Sequence, residues 1–369
     1  MPSLNKVIIA AAGSGKTTRI VKDALSHPDK KSIITTYTIN NTEEIRRKIF
    51  ETKGKIPGNI TVLPLFTFLL QDFARPYQNY LYENRIIGVD FQNGISAKYI
   101  KENNTKGHYF YHGKDIYTDK ISKFAFKCNE LSGGLIINSL KRLYDQIYID
   151  EIQDLAGYDL ELLEILLKSD IDLTMVGDHR QATFQTNYSQ KNKKYAGTNI
   201  VNRFKEWEDK GLCSIEHLAD SYRCNQSICD FADAIFPQFE KTNSLNITRT
   251  NHDGIFTVSS AESENYHRKY KPQILRYNKT TNCKGLPAIN YGNSKGLTFN
   301  RVLIFPNGPL KNYLKTGKHA HIEKSAAKLY VAITRAKYSV TFVLDNKCPI
   351  QGVQKVNLTS PPAASQNQS

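Results

Sequence analysis

The sequence predicts an α/β protein with two parallel-sheet domains, and three observations carry that expectation. Short β-branched runs alternate with runs of helical period along 369 residues, the pattern of strands joined by crossover helices. The alternation comes in two sets, the second beginning near Leu212. The first apolar run breaks into a glycine-rich turn that opens a helix. The length itself suggests two or three compact units.

In the first set, residues 7–11, 32–37, 60–63, 146–149 and 173–176 read as buried strands. Residues 41–53 and 158–168 read as helices, the latter with leucine and isoleucine at helical spacing in Y-D-L-E-L-L-E-I-L-L. The second set holds a helix at 226–236 and strands at 254–258, 273–275, 302–305 and 339–343. Two segments interrupt the alternation. Residues 78–140, rich in Tyr, Lys, Asn and Gly, read as an insertion with its own small structure, and 189–197 as a short basic loop. The tail from Thr359 has almost nothing to bury and is expected to be disordered. The expected domains are therefore 1–77 with 141–211, an inserted subdomain at 78–140, and 212–358.

The net charge of +15 favours polyanionic partners, above all nucleic acid, over a merely soluble basic surface. No apolar run approaches the ~20 residues that cross a bilayer, so no membrane partner is expected. The chain opens on a buried-type strand without a signal-peptide cleavage pattern. Its six cysteines lack metal-ligand spacing, which makes reduced thiols and a cytoplasmic location the expectation.

Residues 7–18 read V-I-I-A-A-A-G-S-G-K-T-T. Glycines let successive backbone N–H groups turn toward one phosphate, and the helix that follows adds its positive end. Ala12, Gly13, Ser14, Gly15, Lys16, Thr17 and Thr18 are thus the nucleotide-binding candidates. Lys16 would hold the β- and γ-phosphates and the Thr17 hydroxyl would hold Mg²⁺. Ala10 stands where the general pattern has its first glycine. The bland alternative is a glycine turn beside an unrelated lysine. Downstream, Q-I-Y-I-D-E-I-Q-D places Asp150 where an apolar strand ends and Glu151 directly after it. Asp150 would hold Mg²⁺, directly or through water, and Glu151 would activate water as a general base. Two acids after a strand can also be only a polar turn.

D-E-I-Q-D resembles the D-E-x-Q-D box of superfamily 1 helicases of the UvrD/PcrA/Rep type, and further boxes follow in the family's order. Thr36-Tyr37-Thr38 with Glu44, Ile45 and Ile49 resembles the segment that meets the DNA backbone. Residues 176–181 resemble V-G-D-x-x-Q, which implies that Gln181 senses the γ-phosphate. Ser221-Tyr222-Arg223-Cys224 is similar to N-Y-R-S and makes Arg223 a phosphate contact. Residues 294–299 resemble A-K-G-L-E-F, with Lys295 as a nucleic-acid candidate. Tyr330-Val331-Ala332-Ile333-Thr334-Arg335-Ala336 is nearly the family's Y-V-A-L-T-R-A and implies an arginine finger at Arg335. The resemblance, from Val7 to about Val343, implies two RecA-like domains with an ATP cleft between them, using ATP and Mg²⁺. Glu151, Gln181, Arg223 and Arg335 would be its catalytic residues. The implied activity is DNA-stimulated ATP hydrolysis with 3′-to-5′ translocation on single-stranded or forked DNA.

The chain also departs from that pattern. No glutamine precedes the glycine-rich loop to read adenine. The family's T-x-H before the first insertion becomes Leu65-Phe66-Thr67. Thr186 and Asn187 stand where relatives have a base-stacking aromatic and an arginine, so Phe184 or Tyr188 would have to stack instead. Thr298 replaces the glutamate of A-K-G-L-E-F. Residues 237–288 leave no room for the large second insertion. In the first insertion, Tyr80, Tyr82, Tyr99, Tyr109, Tyr111 and Tyr117 lie among lysines, which suits a single-strand surface and a tyrosine-rich core equally. Gly58-Asn59, Arg75-Pro76 and Tyr222-Arg223-Cys224 also resemble the helicase-like subunits of Gabija-type phage defence. That implies a second reading: a nucleotide-sensing, DNA-binding subunit that acts with a partner nuclease and unwinds little alone.

Overall fold

The computed structural model describes residues 5–92, 94–356 and 358. It comprises two units, Met1–Ala10 with Gly15–Leu218, and Ala11–Ser14 with Ala219–Ser369.

The strands of the first unit are β1 (Lys6–Ala10), β2 (Ser32–Thr36), β3 (Ile60–Pro64), three short strands β4 (Gly88–Asp90), β5 (Phe110–Tyr111) and β6 (Asp115–Tyr117), then β7 (Gln146–Asp150), β8 (Asp172–Gly177) and β9 (Ser214–Leu218). Six of them form one wholly parallel sheet in the order β3-β2-β7-β8-β1-β9. Alternate residues face opposite layers, so continuous apolar strands fill two cores. Val7, Ile9, Ile147, Ile149, Leu173 and Met175 join one cluster, with Leu160 and Leu163 of helix Tyr158–Leu167. Ile8, Ala10, Ile34, Tyr148 and Val176 join the other, with Ile20 and Ala24 of helix Lys16–Leu25 and Ile45 and Ile49 of helix Ile39–Lys53. This packing aims the carboxyl ends of β1, β7 and β8 at the same edge, where parallel sheets bind ligands. Strand β9 pairs with β1 over five positions, so the first sheet extends to Leu218 and past the expected boundary at residue 211. Its sequence S-I-E-H-L is that of a half-exposed edge strand, which an apolar-run criterion passes over.

Within the expected insertion, β4, β6 and β5 form a separate three-stranded sheet. Tyr82 and Tyr109 are buried in the same cluster as the main sheet's core. The Tyr82 hydroxyl donates to the Gly113 carbonyl at 2.8 Å and that of Tyr109 to Glu102 at 2.6 Å. Those tyrosines are core, whereas Tyr80, Tyr99 and Tyr111 are exposed.

The second unit opens with the pair β10 (Asp220–Ser221) and β11 (Asn243–Ser244). Its sheet contains β12 (Gly254–Val258), β13 (Gln273–Arg276), β14 (Ala288–Asn290), β15 (Phe299–Phe305), β16 (Ala336–Val343) and β17 (Val353–Lys355). They are all parallel, in the order β14-β13-β15-β16-β12-β17. Val302, Ile304, Val340 and Phe342 pack with helices Gln226–Asp233 and Ala326–Ile333, while Leu303, Phe305 and Val258 pack with helix Ser263–Tyr270. The expected α/β class with parallel sheets is therefore the one observed. Among the described residues no helix is long and apolar enough to cross a membrane. The expected disordered tail lies outside the described residues.

Candidate nucleotide site and aromatic surface

Gly13 and Gly15 both take left-handed backbone angles, φ +80° and +78°, as the phosphate-cradling turn requires. Within the second unit, Ala11–Ser14 is pinned by a bond from the Ser221 hydroxyl to the Ala12 carbonyl (2.7 Å) and from the Tyr222 amide to the Gly13 carbonyl (3.0 Å). A Cβ on Gly13 would lie 2.6 Å from the Arg223 Cβ, so no other residue fits there.

In the first unit, helix Lys16–Leu25 begins at the end of β1's loop and puts Lys16 and Thr17 against the end of β7. The Thr17 hydroxyl donates to Asp150 Oδ2 at 2.7 Å, and Lys16 Nζ pairs with Glu151 Oε1 at 2.8 Å. Asp150 Oδ1 accepts from the Glu151 amide at 2.8 Å. Glu151 sits at φ 61°, ψ 39°, a conformation rare for a residue with a side chain and concentrated at functional sites. Burial pushes the Asp150 carboxyl up to about 6, against the opposing pull of the Lys16 ammonium.

The turn after β8 joins this cluster through Gln153, whose amide nitrogen donates to Glu151 and whose Oε1 accepts from the Asp178 amide at 3.1 Å. Asp178 in turn accepts from Gln181 Nε2 at 2.9 Å and Arg180 Nε at 3.1 Å. Burial alone would raise Asp178, but Arg180, His179 and Gln181 hold it below the usual carboxylate range. Lys16, Thr17, Asp150, Glu151 and Gln181 are thus gathered at one sheet edge, while the hydroxyl of Thr18, the third residue of the helix, accepts from Lys48 Nζ at 3.2 Å.

In the second unit, Arg223 Nη1 donates to the Thr334 carbonyl at 3.1 Å. The neighbouring Arg335 is buried, donating from Nε to the Val331 carbonyl at 3.0 Å and from Nη1 to that of Leu297 at 3.2 Å. The two arginines therefore meet on one peptide. Lys295 is half-buried in the loop that leads into β15.

The expected nucleic-acid residues divide. Thr36 is buried at the end of β2, with its hydroxyl enclosed. Tyr37 packs at 4.6 Å on Phe184, which is 42% exposed, and Tyr188 is 41% exposed nearby. Tyr37 also meets Phe66 edge-on at 5.4 Å, and Phe66 meets Phe91 at 6.0 Å. Phe66 and Phe91 were not foreseen; a phenylalanine inside the polar stretch D-F-Q-N-G is the signal that could have found Phe91, which is 73% exposed. Thr186 and Asn187 point inward. Both donate to the buried Asp159, which the Ser122 hydroxyl and the Ala156 amide also reach.

The donors fit the groups that the resemblance implies. Ser14 Oγ is buried and makes no hydrogen bond among the described residues, and it lies between the two left-handed glycines, as a phosphate cradle would have it. Thr17 and Asp150 offer only oxygen to a cation. No cluster of three metal-ligating side chains occurs among the described residues. One carboxylate and one hydroxyl suit Mg²⁺, which completes its shell with water and substrate phosphates.

Fold and loop together define an α/β protein with two parallel sheets and a glycine-rich loop of the phosphate-binding kind. Residues 68–192 match the family described as UvrD/REP helicase N-terminal domain. No curated protein sequence matches the chain significantly. Among solved structures it is similar to the Arterivirus nonstructural protein 10 helicase, at 14% identity and TM-score 0.48, over 92% of this chain and 59% of that one. The complex of the Arterivirus protein with DNA gives 15% identity and TM-score 0.49, covering 92% and 60%. The PRRSV helicase gives 17% and 0.45, covering 92% and 52%. The chain thus spans less than two thirds of the length of these helicases.

Proposed function

We propose that the chain is a Mg²⁺-dependent ATP hydrolase stimulated by single-stranded DNA, moving 3′ to 5′ in the manner of UvrD-like helicases. The observation that carries this reading is the double pairing of Thr17 with Asp150 and of Lys16 with Glu151 across neighbouring strand ends. Mg²⁺ would neutralise charge on the β- and γ-phosphate oxygens. Thr17 and Asp150 would hold it, each giving up the hydrogen bond between them. Lys16 would move from Glu151 to the phosphates, which frees the Glu151 carboxylate to take the proton of the attacking water. Gln181 would register the γ-phosphate, and its bond to Asp178 would pass that contact to Gln153 and so to Glu151. Arg223 and Arg335 would meet charge that develops on the transferred group. Phe184, Tyr188 and Tyr37 would stack bases, and Lys295 would contact the strand.

The inward turn of Thr186 and Asn187 supports the second reading, a DNA-binding defence subunit that works with a nuclease and unwinds little alone. An ATPase assay without DNA, with single strands and with duplex, followed by fork unwinding, separates the two. Turnover stimulated by single strands together with strand separation fits the first reading, and turnover without separation fits the second. No ATP turnover under any condition refutes both.

A further inference from the structure

A cavity of about 280 Å³ opens at the carboxyl edge of the second unit's sheet. The segments after four parallel strands build it: Ser260 follows β12, Asn282 and Lys284 follow β13, Lys311 and Lys315 follow β15, and Asp345 follows β16. The chain leaves β13 for β14 on one side and leaves β15 for β16 on the other. The crevice between β13 and β15 is therefore a point where connections diverge, the place where open α/β sheets hold ligands.

The charges there are unbalanced. Lys311 and Lys315 are one turn apart on helix Gly308–Thr316, both exposed, and their ammonium groups have no ion-pair or hydrogen-bond partner among the described residues. Like charges at that spacing repel. Lys284 Nζ lies across the cavity on the Ser260 carbonyl. The single carboxylate, Asp345, already accepts from the Ser260 amide at 2.7 Å. Three ammonium groups thus face one occupied carboxylate. The volume falls short of the ~300 Å³ at which whole-ligand pockets begin. It admits a phosphate and its sugar rather than a complete nucleotide.

We propose that this cavity seats a backbone phosphate of a single-stranded nucleic acid, held by Lys284, Lys311 and Lys315. The proposal rests on the nucleic-acid reading above and adds a grip to it that no helicase box supplies. The test uses the full chain and a fluorescent oligothymidine, with binding followed by anisotropy over a range of salt. Each single-strand phosphate contact contributes about 0.7 to the slope of log K against log[salt]. Lys311→Gln with Lys315→Gln should lower the slope by about 1.4, which is about 25-fold weaker binding at ~0.1 M salt relative to ~1 M. DNA-free ATP hydrolysis should be unchanged. An unchanged slope overturns the proposal. So does an equal drop from Lys241→Gln with Lys355→Gln, which would mean diffuse basic charge. A shift in ATP affinity without one in strand affinity would assign the cavity to a free nucleotide and also overturn it. Failure of the unaltered chain to bind the oligonucleotide would refute the nucleic-acid reading itself, and this proposal with it.

Discussion

Asp150 and Asp159 are nine positions apart, both are buried, and burial raises both carboxyls. Their surroundings differ. Asp159 is saturated by neutral donors, the Ser122 and Thr186 hydroxyls, the Asn187 amide and the Ala156 N–H. Asp150 has one hydroxyl, one amide and a nearby ammonium, and its hydroxyl partner sits on a phosphate-type loop. A saturated buried carboxylate fastens loops together. A carboxylate whose partners can be exchanged is free to take a cation. The comparison separates scaffold from chemistry better than burial does.

The largest test of that contrast is on activity. Lys16→Ala and Glu151→Gln should each lower ATP turnover by about 10³-fold or more, read in a steady-state phosphate-release assay. Near-normal hydrolysis by either purified variant would sink the assignment. Asp150→Asn should lose turnover comparably while its denaturation midpoint stays level or rises, because a buried charge is removed.

Asp159→Ala should do the reverse. It leaves several buried donors unpaired and should cost about 3 kcal/mol by urea unfolding, with residual turnover per folded molecule close to normal. If Asp159→Ala kills hydrolysis without loss of stability, the division between the two carboxylates is wrong.

A third effect is set by pH in the second unit. His252 is stacked between Phe256 and Tyr270, and burial pushes it down to about 4. The unfolded chain takes up this proton first, so the contribution is intact above the ordinary histidine range near 6.5 and is lost as pH falls toward 4. We expect a loss on the order of 2 kcal/mol across that window, and a flatter stability profile in His252→Phe. Equal slopes for both proteins would remove His252 as the cause.

The smallest effect belongs to the aromatic surface. Phe184→Ala should weaken oligothymidine binding by about 1 kcal/mol, the low end for base stacking because Tyr37 already covers part of the ring. Its salt slope should stay unchanged, in contrast to the lysine variants.

Much of this was legible in the sequence, for a physical reason. Central parallel strands are buried on both faces, so β1, β2, β7, β8, β12, β15 and β16 read as apolar runs. Strands β9, β14 and β17 lie at sheet edges, are only partly buried, and carried no such signal. The candidate residues Lys16, Thr17, Asp150, Glu151 and Gln181 were legible because each lies shortly after a buried strand. The inward bonding of Thr186 and Asn187 was not legible, since it depends on Ser122 and Asp159 arriving from elsewhere in the chain. For the same reason the lysine cavity escaped notice: its walls come from three loops and a helix, each after a different strand.

Gln153 has a further consequence. Its primary amide is an asymmetric connector, with the oxygen toward Asp178 and the nitrogen toward Glu151. It can satisfy both neighbours only while Glu151 is an acceptor. A proton on Glu151 Oε2 would set two donors against each other, so both contacts survive protonation only if the proton sits on Oε1. Which oxygen of that carboxyl carries a proton is thereby made readable at the next strand, one bit passed through one rotatable bond.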